Sequence, residues 1–304
     1  MQKQAAMTSF EWALLLILSV LWGGSFFFSK IALAEVPPLT VVLARVGLAA
    51  MALGVYLRAI NIEIPRSGQV WAAFFGMGLI NNLIPFSLIF WGQTQIASGL
   101  ASIINATTPV FSILVAHFLT ADEKMSANKI AGIVLGVAGV GVLMSHRAVS
   151  DQGPPLLPML ACLGAALSYG FASVFGRRFK RIGVAPAVVA FGQVTATTIM
   201  MIPIVTVVDA PWNLAMPSAV TFGALAALAL LSTALAYVIF FRILSGSGAL
   251  NVSLVTLLIP VSAILLGSFV LGERLDANHF AGMCLIALGL LAIDGRLWRR
   301  FVKP

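Results

Sequence analysis

Apolar residues come in ten long runs with brief polar punctuation between them, at about 10–33, 39–58, 68–92, 98–119, 128–145, 156–176, 186–207, 218–241, 249–270 and 278–295. Each run is close to the roughly 20 apolar residues that a helix needs to cross the hydrocarbon core of a bilayer. The runs do not alternate residue by residue. Ala224-Leu225-Ala226-Ala227-Leu228-Ala229-Leu230-Leu231 is apolar throughout, which excludes the strands of a membrane barrel. A helix satisfies its own backbone groups where water is missing, so the pattern predicts an all-α polytopic membrane protein of ten transmembrane helices. No connection is long enough for an extramembrane domain. The first run continues from Phe10 past Ile31 without a small-residue cleavage signal and reads as a retained span.

Charge sharpens this picture. Of 304 residues, 18 are Lys or Arg and 10 are Asp or Glu, so only 9% are charged while 60% are hydrophobic. A soluble domain carries roughly 25% charged residues, and a soluble enzyme, a disordered chain and a disulfide-stapled domain are thereby excluded. With the N-terminus placed inside, 14 of the 18 cations fall on inner segments and only Lys30, Arg147 and Arg274 on outer ones. That bias predicts both termini in the cytoplasm. The cluster Arg177-Arg178-Phe179-Lys180-Arg181 then reads as an inner-face anchor facing anionic lipid, and no nucleic-acid partner is expected. Cys162 and Cys284 sit in apolar stretches as small hydrophobes. His117, His146 and His279 are scattered without metal spacing, and no phosphate-cradling Gly-x-x-x-x-Gly-Lys motif occurs. No cofactor, metal or ATP is expected.

The chain also repeats itself. Glu123-Lys-Met-Ser-Ala-Asn-Lys-Ile-Ala-Gly132 aligns with Glu273-Arg-Leu-Asp-Ala-Asn-His-Phe-Ala-Gly282, 150 residues on, with five of ten positions identical. Pro109 pairs with Pro260 and Ser102 with Ser253, while Leu21-Trp22-Gly23 pairs more weakly with Ser168-Tyr169-Gly170. Two units follow, at 1–148 and 149–304, of five spans each. Five is odd, so the second unit lies upside down relative to the first, and inverted-topology repeats are a recurring construction of secondary transporters.

Five plus five spans, the tryptophan-bearing first span (Leu21-Trp22-Gly23-Gly24-Ser25), the proline in spans 4 and 9, and the Glu-containing turns before spans 5 and 10 resemble the drug/metabolite transporter superfamily, EamA family. Within it the chain is most similar to YddG-type exporters of aromatic amino acids. The resemblance implies a transporter of a bacterial inner membrane, not an enzyme. It implies export of small amphipathic metabolites, foremost aromatic or bulky apolar amino acids, by alternating access around a midplane cavity. Drugs, cationic compounds or other metabolites are the alternative cargo within the superfamily. An intramembrane enzyme is the alternative from another class; it would need a cluster of Asp, His or Ser that cannot be assembled here.

Polar groups at the bilayer centre are costly and face a bundle interior or a wet cavity. Those near mid-depth are Trp22 and Ser25 in span 1, Asn81 and Asn82 with Phe86 in span 3, Asn105 in span 4, Tyr169 in span 6, Gln193 in span 7, Ser232 and Tyr237 in span 8, and Thr256 in span 9. They are the candidate substrate-binding residues. Two adjacent amides point about 100° apart, so Asn81 and Asn82 cannot both hide in one helix contact. Trp22 either lines the cavity or packs between helices. Arg45 is the one charge well inside a span, and it either attracts a substrate carboxylate or snorkels to the outer interface. Pro109 and Pro260 are candidate hinges, since each removes a helical hydrogen bond. Glu123 and Glu273 are expected at the N-termini of spans 5 and 10, with Asn128 and Asn278 as caps. Gly132-x-x-x-Gly136 and Gly282 to Gly289 suit close packing, within a monomer or across a homodimer. No span holds an Asp or Glu at its core, which favours uniport over proton antiport.

Overall fold

The first helix starts with a reciprocal cap. The Thr8 hydroxyl accepts from the backbone N–H of Glu11 at 3.2 Å, and the Glu11 carboxylate accepts from that of Thr8 at 2.8 Å. The computed structural model describes residues 8–121, 125–149, 155–252 and 254–294. These residues form α1 (Ser9–Ala32), α2 (Pro38–Ala59), α3 (Gly68–Gly78), α4 (Ile84–Gln93), α5 (Ser98–Asn105), α6 (Thr108–Leu119), α7 (Ala127–Val149), α8 (Leu156–Phe175), α9 (Arg177–Arg181), α10 (Pro186–Val208), α11 (Ala219–Ala229), α12 (Ala236–Val252), α13 (Val255–Val270) and α14 (Ala277–Asp294). No strand occurs among the described residues. A π-helical turn, Leu79–Leu83, joins α3 to α4, and a second, Leu230–Leu235, joins α11 to α12. Among the described residues eight helices are long and apolar enough to cross a membrane, with two shorter apolar ones at Val255–Val270 and Ala277–Ile293. The protein is a polytopic helical membrane protein.

The predicted spans meet these helices within a residue or two, except at the end of span 5, where α7 runs four residues further to Val149, and around spans 8 and 9. There the polar run Ser245-Gly246-Ser247-Gly248 reads as a connection, yet α12 continues through it to Val252. Glycine costs only about 1 kcal/mol against Ala in a helix and does not forbid one. The next helix opens late, and α13 keeps 16 residues.

Glycines set the closest helix contacts. A Cβ at Gly132 would stand 2.5 Å from the Gly289 carbonyl oxygen, and one at Gly139 would stand 2.8 Å from that of Gly282. The reverse contacts are as short, so α7 and α14 run antiparallel with their backbones touching. The small-residue faces of these two helices are thus used within one chain. Gly54 against Phe191 and Gly47 against Thr198 set α2 antiparallel to α10 in the same way. Outward faces are apolar, as at Leu16, Val20, Met51, Val55, Val134 and Val137, and meet lipid rather than water.

Glu273 departs from expectation. Its carboxylate does not serve α14 but accepts from the backbone N–H and hydroxyl of Ser98, at 2.8 and 2.7 Å, and from Gly99 N–H at 3.3 Å. It therefore caps α5, in the other half of the chain. Nothing in local sequence encodes a partner 175 residues away. The caps of α7 and α14 are also corrected: Asn128 and Asn278 lie inside the first turns, while Ser126 accepts from Lys129 N–H and the Asp276 carbonyl from His279 N–H. Glu123 lies outside the described residues. Glu273→Gln puts an amide N–H where the cap needs an acceptor. It is expected to cost about 1–3 kcal/mol, read as a fall of several degrees in the melting temperature of the detergent-solubilised protein.

Candidate functional site

The π turn at Leu79–Leu83 sits mid-way along its span and carries both asparagines. From this wider turn both adjacent amides reach the same two helices, α10 and α12. Asn81 Nδ2 donates to Gln193 Oε1 in α10 at 2.9 Å and to the Tyr237 hydroxyl in α12 at 3.3 Å. The Tyr237 hydroxyl donates to Asn82 Oδ1 at 3.2 Å, and Asn82 Nδ2 donates to Thr197 Oγ1 at 3.4 Å. Thr197 Oγ1 lies 2.7 Å from the Gln193 carbonyl oxygen and 3.1 Å from that of Gly78. Ser168 donates to the Ile80 carbonyl at 2.6 Å, fixing α8 to the same turn. Asn82, Gln193 and Thr197 are buried, so each bond is made away from water.

The second π turn brings Ser232 and Thr233. Thr233 Oγ1 accepts from Arg45 Nε at 2.9 Å and donates to the Leu228 carbonyl at 2.9 Å. Arg45 is buried at 6% exposure, two turns into α2, and does not snorkel. Its guanidinium lies 3.8 Å over the Phe86 ring, which in turn stacks on Phe90 at 6.2 Å. It is within electrostatic range of Tyr169 and Tyr237. Trp22 is half-buried, 5.5 Å from Phe240, and Ser25 is buried one turn further along α1. Ser232 Oγ and Asn105 Oδ1 are shielded from solvent without a hydrogen-bond partner, Asn105 at the end of α5 where span 4 breaks before Pro109. Thr256 is half-buried in the first turn of α13, and Pro260 lies inside that helix.

Of the residues chosen from sequence, Asn81, Asn82, Gln193 and Tyr237 form one connected network. Phe86 and Tyr169 lie by Arg45 beside it, and Ser232 adjoins the Arg45 partner Thr233 in the second π turn. Sequence reasoning missed Gln93, at the end of an apolar run where it resembles a boundary residue. Gln93 is fully buried, accepts from Ser29 Oγ at 2.7 Å and donates to the Phe26 carbonyl at 2.9 Å. Lys30 closes this end by donating to the carbonyls of Gln93 and Ile96 at 2.6 and 3.0 Å. At the opposite, basic end a cleft of about 690 Å³ between Leu119, Phe171, Phe175, Arg177, Arg178 and Arg181 reaches Ile80 in the first π turn. Among the described residues no group of three or more His, Cys, Asp or Glu could hold a metal ion.

Fold and centre together define a class: a membrane-spanning helical bundle with a hydrogen-bonded, aromatic-lined interior. Comparison with known proteins gives the family. The EamA-like transporter family model matches residues 10–145 and again residues 156–293, and the chain belongs to that family. It is 27% identical to the uncharacterized transporter YoaV of Bacillus subtilis, over 90% of this chain and 92% of that one. It is also 27% identical to a probable amino-acid metabolite efflux pump of Escherichia coli, over 95% and 97% of the two chains. A solved crystal structure with 22% identity superposes with a TM-score of 0.69, over 98% of this chain and all of the other, and so shares the fold.

Proposed function

We propose that the protein exports small amphipathic metabolites, foremost amino acids with aromatic or bulky apolar side chains, by alternating access between two inverted five-helix repeats. The observation that carries this reading is the matched pair of π turns, Leu79–Leu83 and Leu230–Leu235, whose polar residues meet helices of both halves at mid-depth. Helix pairing supports it further. Exchanging the halves turns the packing of α1 on α13 into that of α8 on α6, while α2 with α10 and α7 with α14 map onto themselves. The family model's two matches, covering 10–145 and 156–293, agree with repeats at 1–148 and 149–304. A centre reached from one end and tied shut at the other by Lys30, Gln93 and Ile96 suits one state of such a cycle. The cation bias supports a cytoplasmic side for both termini. The efflux role of the Escherichia coli relative points to the same cargo class.

Counterflow in proteoliposomes with labelled amino acids, with and without a pH gradient, tests the reading. Flux of Phe, Trp and Leu independent of the gradient is expected. No flux across the panel would refute export, and strict dependence on the gradient would refute uniport. The hinges give a second test. Pro109 stands in the first turn of α6 after the break at span 4, and Pro260 has no N–H for the Thr256 carbonyl. Pro109→Ala and Pro260→Ala are each expected to change transport rate about fivefold, near 1 kcal/mol in barrier, with smaller changes in affinity. Loss of folding alone would remove the hinge role.

A further inference from the structure

We infer that the centre is an anion site, in which Arg45 receives the carboxylate of a cargo that carries net negative charge. The inference rests on the export reading of this same centre and changes the order of cargo within it, placing apolar monocarboxylates ahead of the zwitterionic amino acids.

A buried cation requires compensation, and Arg45 has little. Only its Nε–H has a hydrogen-bond partner among the described residues, and none of their carboxylates pairs with it. Its remaining four N–H groups have no acceptor there, and in an otherwise buried residue the Nη atoms are not fully shielded but keep open space in front of them. An arginine serving only the scaffold would spend these groups on backbone carbonyls. Here the carbonyl next to the π turn, that of Leu228, is taken by Thr233 instead. Thr233 at Nε and the Phe86 ring at 3.8 Å fix both the direction and the plane of the guanidinium. That leaves its Nη edge oriented for the bidentate pairing that carboxylates form.

The surroundings decide between charge types. Around Arg45 stand Thr233, Phe86, Phe90, Tyr169 and Tyr237, all neutral, and Asn81, Asn82 and Gln193 beyond them add amides. No span holds an Asp or Glu at its core. A monocarboxylate neutralises this site. A zwitterion brings an ammonium that meets amides, hydroxyls and aromatic faces but no carboxylate, and a cation adds like charge to Arg45. The order of preference is therefore anion, zwitterion, cation. An anionic cargo also removes the need for a coupled proton, because an inside-negative membrane potential of 100 mV drives a monoanion outward against about a fiftyfold concentration ratio.

The test uses one carbon skeleton in three charge states: 3-phenyllactate, phenylalanine and phenylalaninamide, each measured in proteoliposomes at zero membrane potential with flux into protein-free vesicles subtracted. In the wild type the anion is expected to move about tenfold or more faster than the cation, with the zwitterion between. Arg45→Gln is expected to bring the three within about twofold, and Arg45→Lys to keep the order. If Arg45→Gln does not fold, the wild-type series and Arg45→Lys still decide. A wild type that carries the cation as fast as the anion, or an Arg45→Gln protein that keeps the order, overturns the anion site and leaves the export reading standing. Absence of flux for these three and for the whole amino-acid panel overturns both.

Discussion

Asn82→Ala lowers flux about tenfold or more while the protein still assembles as a folded bundle: this is the expected result for the residue at the middle of the polar network. Asn82 is fully buried and joins Tyr237 to Thr197, linking span 3 to spans 8 and 7. Truncation leaves the Tyr237 hydroxyl without its acceptor and frees it to turn within the site. Losing two such bonds is worth about 1–3 kcal/mol, or roughly five- to 150-fold in a rate that depends on them. Stability suffers less, because hydrogen bonds between membrane helices average about 0.6 kcal/mol. Trp22→Ala removes an aromatic wall of the same region and is expected to act in the same direction. Counterflow normalised to the folded fraction on gel filtration measures both. Unchanged flux in the two variants would mean that cargo passes elsewhere.

Gly132→Leu has the opposite signature, loss of folded protein with no change of affinity in whatever remains. The Cβ alone would stand 2.5 Å from the Gly289 carbonyl oxygen, nearer than such atoms come, and the obstacle is backbone that cannot swing aside. The remaining leucine atoms must force α7 and α14 apart along their shared face. Overpacking of a well-fitted interior costs about 1–3 kcal/mol, and more where backbone must move. A melting temperature lower by about 5 °C or more, with loss of the monodisperse peak, is the expected readout. The α7–α14 pair contributes none of the residues in the Asn82 network, so an apparent affinity that shifted with Gly132→Leu would show the two regions to be coupled.

How legible this was in the sequence varies by kind of information. The spans were plain because a bilayer demands some twenty apolar residues in a row, and α2 or α10 could be outlined almost to the residue. The central polar residues were plain for the same reason, since an amide such as Asn82 is conspicuous against lipid-compatible neighbours. What hydropathy does not encode is direction. Arg45 could have pointed to the outer interface, and only the placement of Phe86 and Thr233 turns it inward. Nor does it encode distant partners, so Glu273 was assigned to the helix that follows it rather than to Ser98. The segment 245–252 failed differently: Ser and Gly are permissive, and the helix passes through because nothing stops it. The π turns left no periodic trace, being too short to alter a hydrophobic pattern read over a whole span.

Those turns carry a consequence for how the protein tolerates change in chain length. A π turn holds one residue more than an α turn, which offsets the angular phase of everything after it by about 100°. Removing a single residue from Leu79–Leu83 would restore α-helical phase and swing Pro85, Phe86 and Phe90 about a quarter of the way around the helix axis. Phe86 would then leave the guanidinium of Arg45 and face a different neighbour, although every residue of α4 would still be present. The same holds for Leu230–Leu235 and the aromatic side chains of Tyr237, Phe240 and Phe241. Length in these two short segments sets the orientation of half the interior.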